Sequence, residues 1–245
     1  MQSAPRALIA GLGLIGGSIG IALRARGWRV AYLDPNVDLQ QARSAGAADE
    51  RVVEIGEADI VVLATPVVVA VGLLGGSYLA TSVASVMLPF KGTANFIAGH
   101  PLAGSHERGL AAARGDLFKG CSWFLERHDP LVDRLVTDCG AHIEIVSAEE
   151  HDAAVALTSH LPQLLSTALA AYIDERGLDE RFAGSGVRTF LRLAGSDASV
   201  WMPVVDANRA NIAPHAHAVG KIVREILAGD AAPFERAQRL WSRLK

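Results

Sequence analysis

His100 is the side chain of this 245-residue sequence best suited to move a proton near neutral pH. It opens the polar run His100-Pro101-Leu102-Ala103-Gly104-Ser105-His106-Glu107-Arg108-Gly109. An imidazole there can take a proton from a substrate hydroxyl while a hydride leaves. It can equally finish a strand and bond a main-chain carbonyl. A second polar cluster, Thr158-Ser159-His160-Leu161-Pro162-Gln163, interrupts an apolar helical pattern. Pro162 should kink that helix and free main-chain groups; a satisfied buried histidine is the other reading of His160. In the third cluster, Gly184 to Ala194, Arg188 and Arg192 stand four apart, the spacing of one helix face. Guanidinium groups so arranged suit a carboxylate, and a solvated helix face is the alternative. His215 and His217 are spaced i, i+2, which does not share a helix face, so no metal site is expected. Cys121 and Cys139 lack ligand spacing and read as reduced, packed thiols.

These groups need a frame, and the stretch Leu8-Ile9-Ala10-Gly11-Leu12-Gly13-Leu14-Ile15-Gly16-Gly17-Ser18 supplies its first part. The apolar run Ala7–Ala10 reads as a buried strand, followed by a G-x-G-x-x-G turn and a helix from about Leu14. Gly11 permits the turn, Gly13 lets a pyrophosphate approach the backbone, and Gly16 lets helix and strand pack closely. The helix N-terminus at Leu14 and Ile15 offers free N–H groups to phosphate. The helix runs over Ile15–Arg26, and a second strand, Arg29–Leu33, ends at Asp34, 18 residues after Gly16. An acidic residue at that place hydrogen-bonds the adenosine ribose. Pro35 follows, with no adjacent arginine to receive a 2′-phosphate, so NAD is expected over NADP. Asp59–Ala64 reads as a central parallel strand, and Thr65-Pro66 at its end should lie beside the cofactor. Further strands are expected at Ser82–Val86, Asn95–Ala98, Ser122–Leu125 and Ala141–Val146, with a helix at Leu131–Cys139.

From Ser147 the pattern changes. Ser147-Ala148-Glu149-Glu150 has the form of a capping box, and a long helix follows towards Tyr172. Phe182–Ala194, Ala198–Asn211 and Ala216–Leu227 also read as helices. The expected organisation is α/β: a Rossmann-type dinucleotide-binding domain over residues 1–146 and an all-helical domain over 147–245. The helical part carries more apolar surface than a small bundle needs, so a homodimer through it is expected. The net charge of −3 and the absence of a basic run argue against nucleic acid. No unbroken apolar stretch could span a bilayer and no signal peptide is evident, so the expected location is the cytoplasm, away from membranes.

Four blocks together resemble the prephenate/arogenate dehydrogenases of tyrosine biosynthesis. They are Gly11–Ser18, His100–Ser105, His151-Asp152 with Ser159-His160-Leu161-Pro162, and Gly186–Ala194 with Ser196-Asp197 and Trp201. The resemblance implies a nucleotide-binding domain, a helical domain that dimerises, and NAD-dependent oxidative decarboxylation of a cyclohexadienol. Prephenate would give 4-hydroxyphenylpyruvate, and arogenate would give tyrosine. The absence of an acidic residue near Gln163 tilts the expectation to prephenate. By position, His100 matches the catalytic histidine and Ser85 a serine bonding the same region. Arg192 matches the arginine that holds a substrate carboxylate. Ser105, His160, Gln163 and Arg188 fall in the substrate-binding blocks. The chain departs from the family's pattern at Ser82 and Met87, flanking Ser85, where members carry an acidic residue and a lysine. It also departs at His106, where they carry Glu. Lys91 is the nearest stand-in for that lysine. Other NAD(P)-dependent two-domain dehydrogenases of the 6-phosphogluconate or 3-hydroxyacid type, and a degenerate nucleotide-binding paralogue, are the alternatives.

Overall fold

The structure, a computed structural model, describes residues 4–104 and 107–244. The first half builds an all-parallel six-stranded sheet in the order β3-β2-β1-β4-β5-β6. Its strands are β1 (Arg6–Ala10), β2 (Arg29–Leu33), β3 (Glu50–Arg51), β4 (Ile60–Leu63), β5 (Ala80–Ser82) and β6 (Phe96–Ile97). Helices α1 (Leu14–Ala25), α2 (Leu39–Ser44) and α3 (Val67–Gly72) follow β1, β2 and β4. Ala7–Ala10 and Ile60–Leu63 are buried throughout, which is why both read as unbroken apolar runs. The strand order reverses between β1 and β4, so the crevice beyond Ala10 and Leu63 is the ligand-binding edge of such a sheet.

The strand expected at Ser82–Val86 is instead Ala80–Ser82. The chain leaves the sheet there because the Met87 and Leu88 N–H groups bond Asp152 rather than a neighbouring strand. A single 3-10 turn, Leu88–Phe90, follows. A small second sheet comprises β7 (Gly99–Pro101), β8 (Ser122–Leu125) and β9 (His142–Ile145), with α4 (Pro130–Asp138) between β8 and β9. β7 is antiparallel to β8, with His100 opposite Phe124. β7 also lies against β5: the Ser82 hydroxyl donates to the Gly99 carbonyl at 3.3 Å, and a Cβ on Gly99 would sit 2.9 Å from the Ser82 carbonyl oxygen.

The remainder is helical: α5 (Ala148–Val155), α6 (Leu161–Glu175), α7 (Ser185–Phe190), α8 (Ala198–Leu227) and α9 (Ala232–Leu244). At Ser147 only one arm of the capping box forms, the Glu150 N–H donating to the Ser147 hydroxyl at 3.2 Å. A π-helical turn, Ala156–His160, joins α5 to α6 just ahead of Pro162. Widening the helix there is how the chain absorbs a proline that has no N–H to give. The helix expected at Phe182–Ala194 is shorter, since residues Leu191–Gly195 tighten into a 3-10 helix. The two helices expected at Ala198–Asn211 and Ala216–Leu227 are one, broken locally at Asn208 (φ −115°, ψ 16°). Among the described residues, no helix is long and apolar enough to cross a membrane. Tyr172, Phe182, Phe190, Val223, Leu227 and Phe234 are exposed on the helical half.

Candidate active site

The glycine turn is built for a ligand. Gly11 has φ +91°, and a Cβ there would lie 2.5 Å from the Ala64 carbonyl oxygen. A Cβ on Gly16 would overlap the Gly11 carbonyl oxygen. Gly13 differs: a Cβ would meet nothing within 4 Å, so the space above it is open. Gly13 is also the N-cap of α1, and no side chain caps that helix. Its first N–H groups, at Leu14 and Ile15, are thus available to an anion. Asp34 is fixed nearby, its Oδ2 accepting the Leu12 N–H at 2.8 Å and its Oδ1 the Asn36 N–H at 2.8 Å. Each oxygen keeps a lone pair for a ribose hydroxyl.

Asp34 stands between two cavities. One, of about 550 Å³, includes Gly13, Asn36 and Leu110. The other, of about 390 Å³, includes Pro35, Arg51, Val52, Thr65 and Leu73. The Thr65 hydroxyl is buried and has no hydrogen-bond partner among the described residues. Open space at Gly13, an uncapped helix start, an anchored Asp34 and an orphaned Thr65 hydroxyl fit a dinucleotide. Arg51, which is not adjacent in sequence, arrives from β3 and donates to the Pro35 carbonyl at 3.3 Å.

His100 lies in the middle strand residue of β7, not in a loop after it, and is only 8 % exposed. Its Nδ1 is 2.9 Å from Nε2 of His151, whose Nδ1 is 2.8 Å from Oδ1 of Asp152. Asp152 is fully buried, and its oxygens also accept the Met87 N–H (2.8 Å) and the Leu88 N–H (3.0 Å). An ionised Asp152 only accepts, so His151 donates to it from Nδ1. With a neutral His151, Nε2 accepts from His100 Nδ1–H, which leaves His100 Nε2 as an acceptor. Burial, then the neighbouring His151 and His160 rings, push the His100 pKa down to about 3. The ring is therefore neutral at ordinary pH.

His160 is also fully buried, at the end of the π turn. Its Nδ1 accepts from the Asn208 amide at 3.1 Å, and the same amide donates to the Asp152 carbonyl at 2.7 Å. The break in α8 at Asn208 is what brings this side chain to both. His160 Nε2 is buried without a hydrogen-bond partner among the described residues. Burial holds the His160 pKa below the usual histidine range, against the Asp152 charge and the Ser85 main chain beside the ring, which both favour its charged form. Ser85 and His160, far apart in sequence, are thus neighbours. Trp201, on the first turn of α8, stands edge-on to His160 with ring centroids 5.9 Å apart.

Trp201 also lines a cavity of about 430 Å³ with Gly104, Arg108, Arg192 and Ser196. Arg192 is there, but Arg188 is not. The change from α to 3-10 after Phe190 breaks the shared helix face, and Arg188 instead caps the Ala183 carbonyl at 2.9 Å. Gln163 borders the same cavity with its amide already committed. It donates to Thr167 (3.1 Å) and to the Leu193 carbonyl (2.8 Å), and accepts from Ser196 (3.3 Å). Its role here is to brace the segment that carries Arg192. Lys91 is ion-paired with Glu149 rather than turned to the site. Ser105 and His106 lie outside the described residues. The residues that sequence reasoning left without a role are His151, Asp152, Asn208 and Arg108. The dipeptide His151-Asp152 was the visible signal, while Asn208 gave none.

Two family models match the chain: "Prephenate dehydrogenase, nucleotide-binding domain" over residues 19–145 and "Prephenate dehydrogenase, dimerization domain" over residues 147–228. A prephenate dehydrogenase of Lactococcus lactis is 31% identical over 227 residues, covering 82% of this chain and 64% of its own. One of Bacillus subtilis is 31% identical over 243 residues, covering 84% and 64%. The chain thus spans 64% of the length of these two curated relatives. Among solved structures, a prephenate dehydrogenase from A. aeolicus, in complex with hydroxyphenyl propionate and NAD+, superposes with a TM-score of 0.85. It is 24% identical, with 100% of this chain and 99% of that chain covered, and so shares the fold.

Proposed function

The chain belongs to the prephenate dehydrogenase family, and from that premise we propose that it oxidatively decarboxylates a cyclohexadienol, with prephenate as substrate and NAD as cofactor. The observation that carries this reading is the chain Asp152–His151–His100, which leaves one buried, neutral imidazole nitrogen to accept a proton. NAD+, when bound, supplies the hydride acceptor. Its cradle would be Gly11, Gly13 and Gly16 with the Leu14 and Ile15 N–H groups, Asp34 at the ribose, and Thr65 and Pro66 at the edge. Asp34 would repel a 2′-phosphate, which favours NAD over its phosphorylated form.

The ring carbon bearing the hydroxyl loses hydrogen with its electron pair. As it does so the hydroxyl proton becomes strongly acidic, so even a weak base in a dry site can take it. His100 receives it at Nε2, and the charge that develops is balanced through His151 by the Asp152 carboxylate. The C–C bond to the ring carboxylate then breaks, carbon dioxide leaves, and its electron pair makes the ring aromatic. His100 returns the proton to the resulting phenolate. The products are 4-hydroxyphenylpyruvate, carbon dioxide and NADH, with no net proton left on the enzyme. Arg192 holds a carboxylate at the end of the substrate away from His100, Ser85 and His160 flank the reacting end, and the helical half pairs two copies into a homodimer. Absorbance at the NADH band, with prephenate or arogenate and with NAD or NADP, tests the reading. NADH formation from prephenate is expected, and no turnover of either acid would overturn it.

A further inference from the structure

We propose that Arg108 makes the cavity beside Trp201 a site for a dicarboxylate, and that its pairing with Asp197 selects the keto acid against its amino counterpart. This rests on the reading of the reaction above and extends it to the choice of substrate. Two guanidinium groups from different halves of the molecule, Arg108 and Arg192, line one cavity of about 430 Å³. Arg192 has no acceptor for its guanidinium among the described residues. Arg108 uses part of its fork, donating to the Gly195 carbonyl at 2.8 Å and to Asp197 Oδ2 at 3.2 Å. A guanidinium carries five N–H groups, so donors remain.

Asp197, the partner of Arg108, is occupied on both oxygens. Oδ1 accepts the Ser199 N–H at 2.9 Å and the Ser199 hydroxyl at 2.8 Å, as the N-cap of α8, and Oδ2 faces Arg108. The pair is about half exposed on each side, so it adds little to folding. Its consequence is for charge: among Arg108, Arg192 and Asp197, two cations and one anion leave an excess of one positive charge. A ring carboxylate and a side-chain carboxylate leave the same ring carbon region, opposite the hydroxyl that His100 serves. Two acids therefore meet two arginines. An ammonium in place of the side-chain keto group would face both guanidiniums, with its natural partner, Asp197, already taken.

The test is the ratio of kcat/KM for prephenate to kcat/KM for arogenate in the wild type, Arg108→Gln, Arg108→Lys and Arg108→Gln with Asp197→Asn. The wild type should prefer prephenate. Arg108→Gln should raise KM for prephenate about 10-fold or more, the scale of one lost charge-assisted hydrogen bond. It should also move the ratio towards arogenate, because Asp197 is released. Arg108→Lys should keep most of the preference, and Asp197→Asn in the Gln background should remove the gain for the amine while still capping α8. Quenching of tryptophan fluorescence by 4-hydroxyphenylpyruvate and by tyrosine should rank binding the same way without turnover. A wild type that prefers arogenate, or an equal loss on both acids in Arg108→Gln, would overturn the role of Arg108 and leave the reaction standing. Failure of the wild type to oxidise either acid would instead overturn the reaction.

Discussion

His100 is held by partners far away in sequence, and that isolation from water has two measurable consequences. Replacing it with Asn should leave NAD binding intact and lower turnover by ~10²–10⁴, the usual contribution of a positioned base; unchanged turnover would refute its role. Its depressed pKa also couples to folding. The unfolded chain protonates this ring below about 6.5, while the folded one resists down to about 3. In that window the unfolded state binds more protons, so the stability present above 6.5 is lost as pH falls, by about 1.4 kcal/mol per pH unit for this one ring. Melting temperature should therefore decline more steeply below pH 6.5 in the wild type than in His100→Asn, and equal slopes would refute it. The histidines and Arg192 were legible by type. The relay was not, because Asp152 finds its N–H partners 64 and 65 residues earlier and His151 finds His100 51 residues earlier.

The strand, glycine turn and helix at the start of the chain form by local rules, so the sequence exposed them almost completely. The three glycines nonetheless do different things, and substitution separates them. Gly13→Ala points its methyl into open space, so the fold should keep its melting temperature while NAD affinity falls at least about tenfold. Gly16→Ala collides with the Gly11 carbonyl and should cost about 1–3 kcal/mol of stability before any ligand is added. Calorimetry and NAD titration of the two variants check the contrast, and a Gly13→Ala protein with native affinity would contradict it. Sequence reading missed or misdrew several elements. Helices α2 and α3 are each six residues, too short for a periodic signal. In α8 the expected division, residues 212–215 around Pro214, lies beyond the actual break at Asn208, and α9 was missed although Phe234, Ala237, Leu240, Trp241 and Leu244 repeat at helical spacing.

At the scale of the whole molecule, the helical half leaves Tyr172, Phe190, Val223 and Leu227 exposed, more apolar surface than a monomer in water favours. Sedimentation should give about twice the chain mass of 25.8 kDa, and the melting temperature should rise with protein concentration. A monomer with a concentration-independent transition would refute the dimer. The relay also crosses between the two halves. His100 comes from the small sheet, while His151 and Asp152 come from the first helix of the helical half, and Asp152 reaches back to Met87 and Leu88. Position in sequence divides nucleotide handling from helical packing, but the proton chemistry belongs to both.

The π turn at Ala156–His160 has a further consequence, one of rotational phase. An α-helix turns about 100° per residue, so the eight steps from Asp152 to His160 would leave them about 80° apart around the axis. A π turn takes up one extra residue within the same number of turns. Eight steps then act as seven, nearly two full revolutions, and both residues face Asn208. The widened turn is thus an insertion absorbed without loss of phase. Deleting one residue within residues 156–159 would remove the extra residue, and Asp152 and His160 would still look the same way.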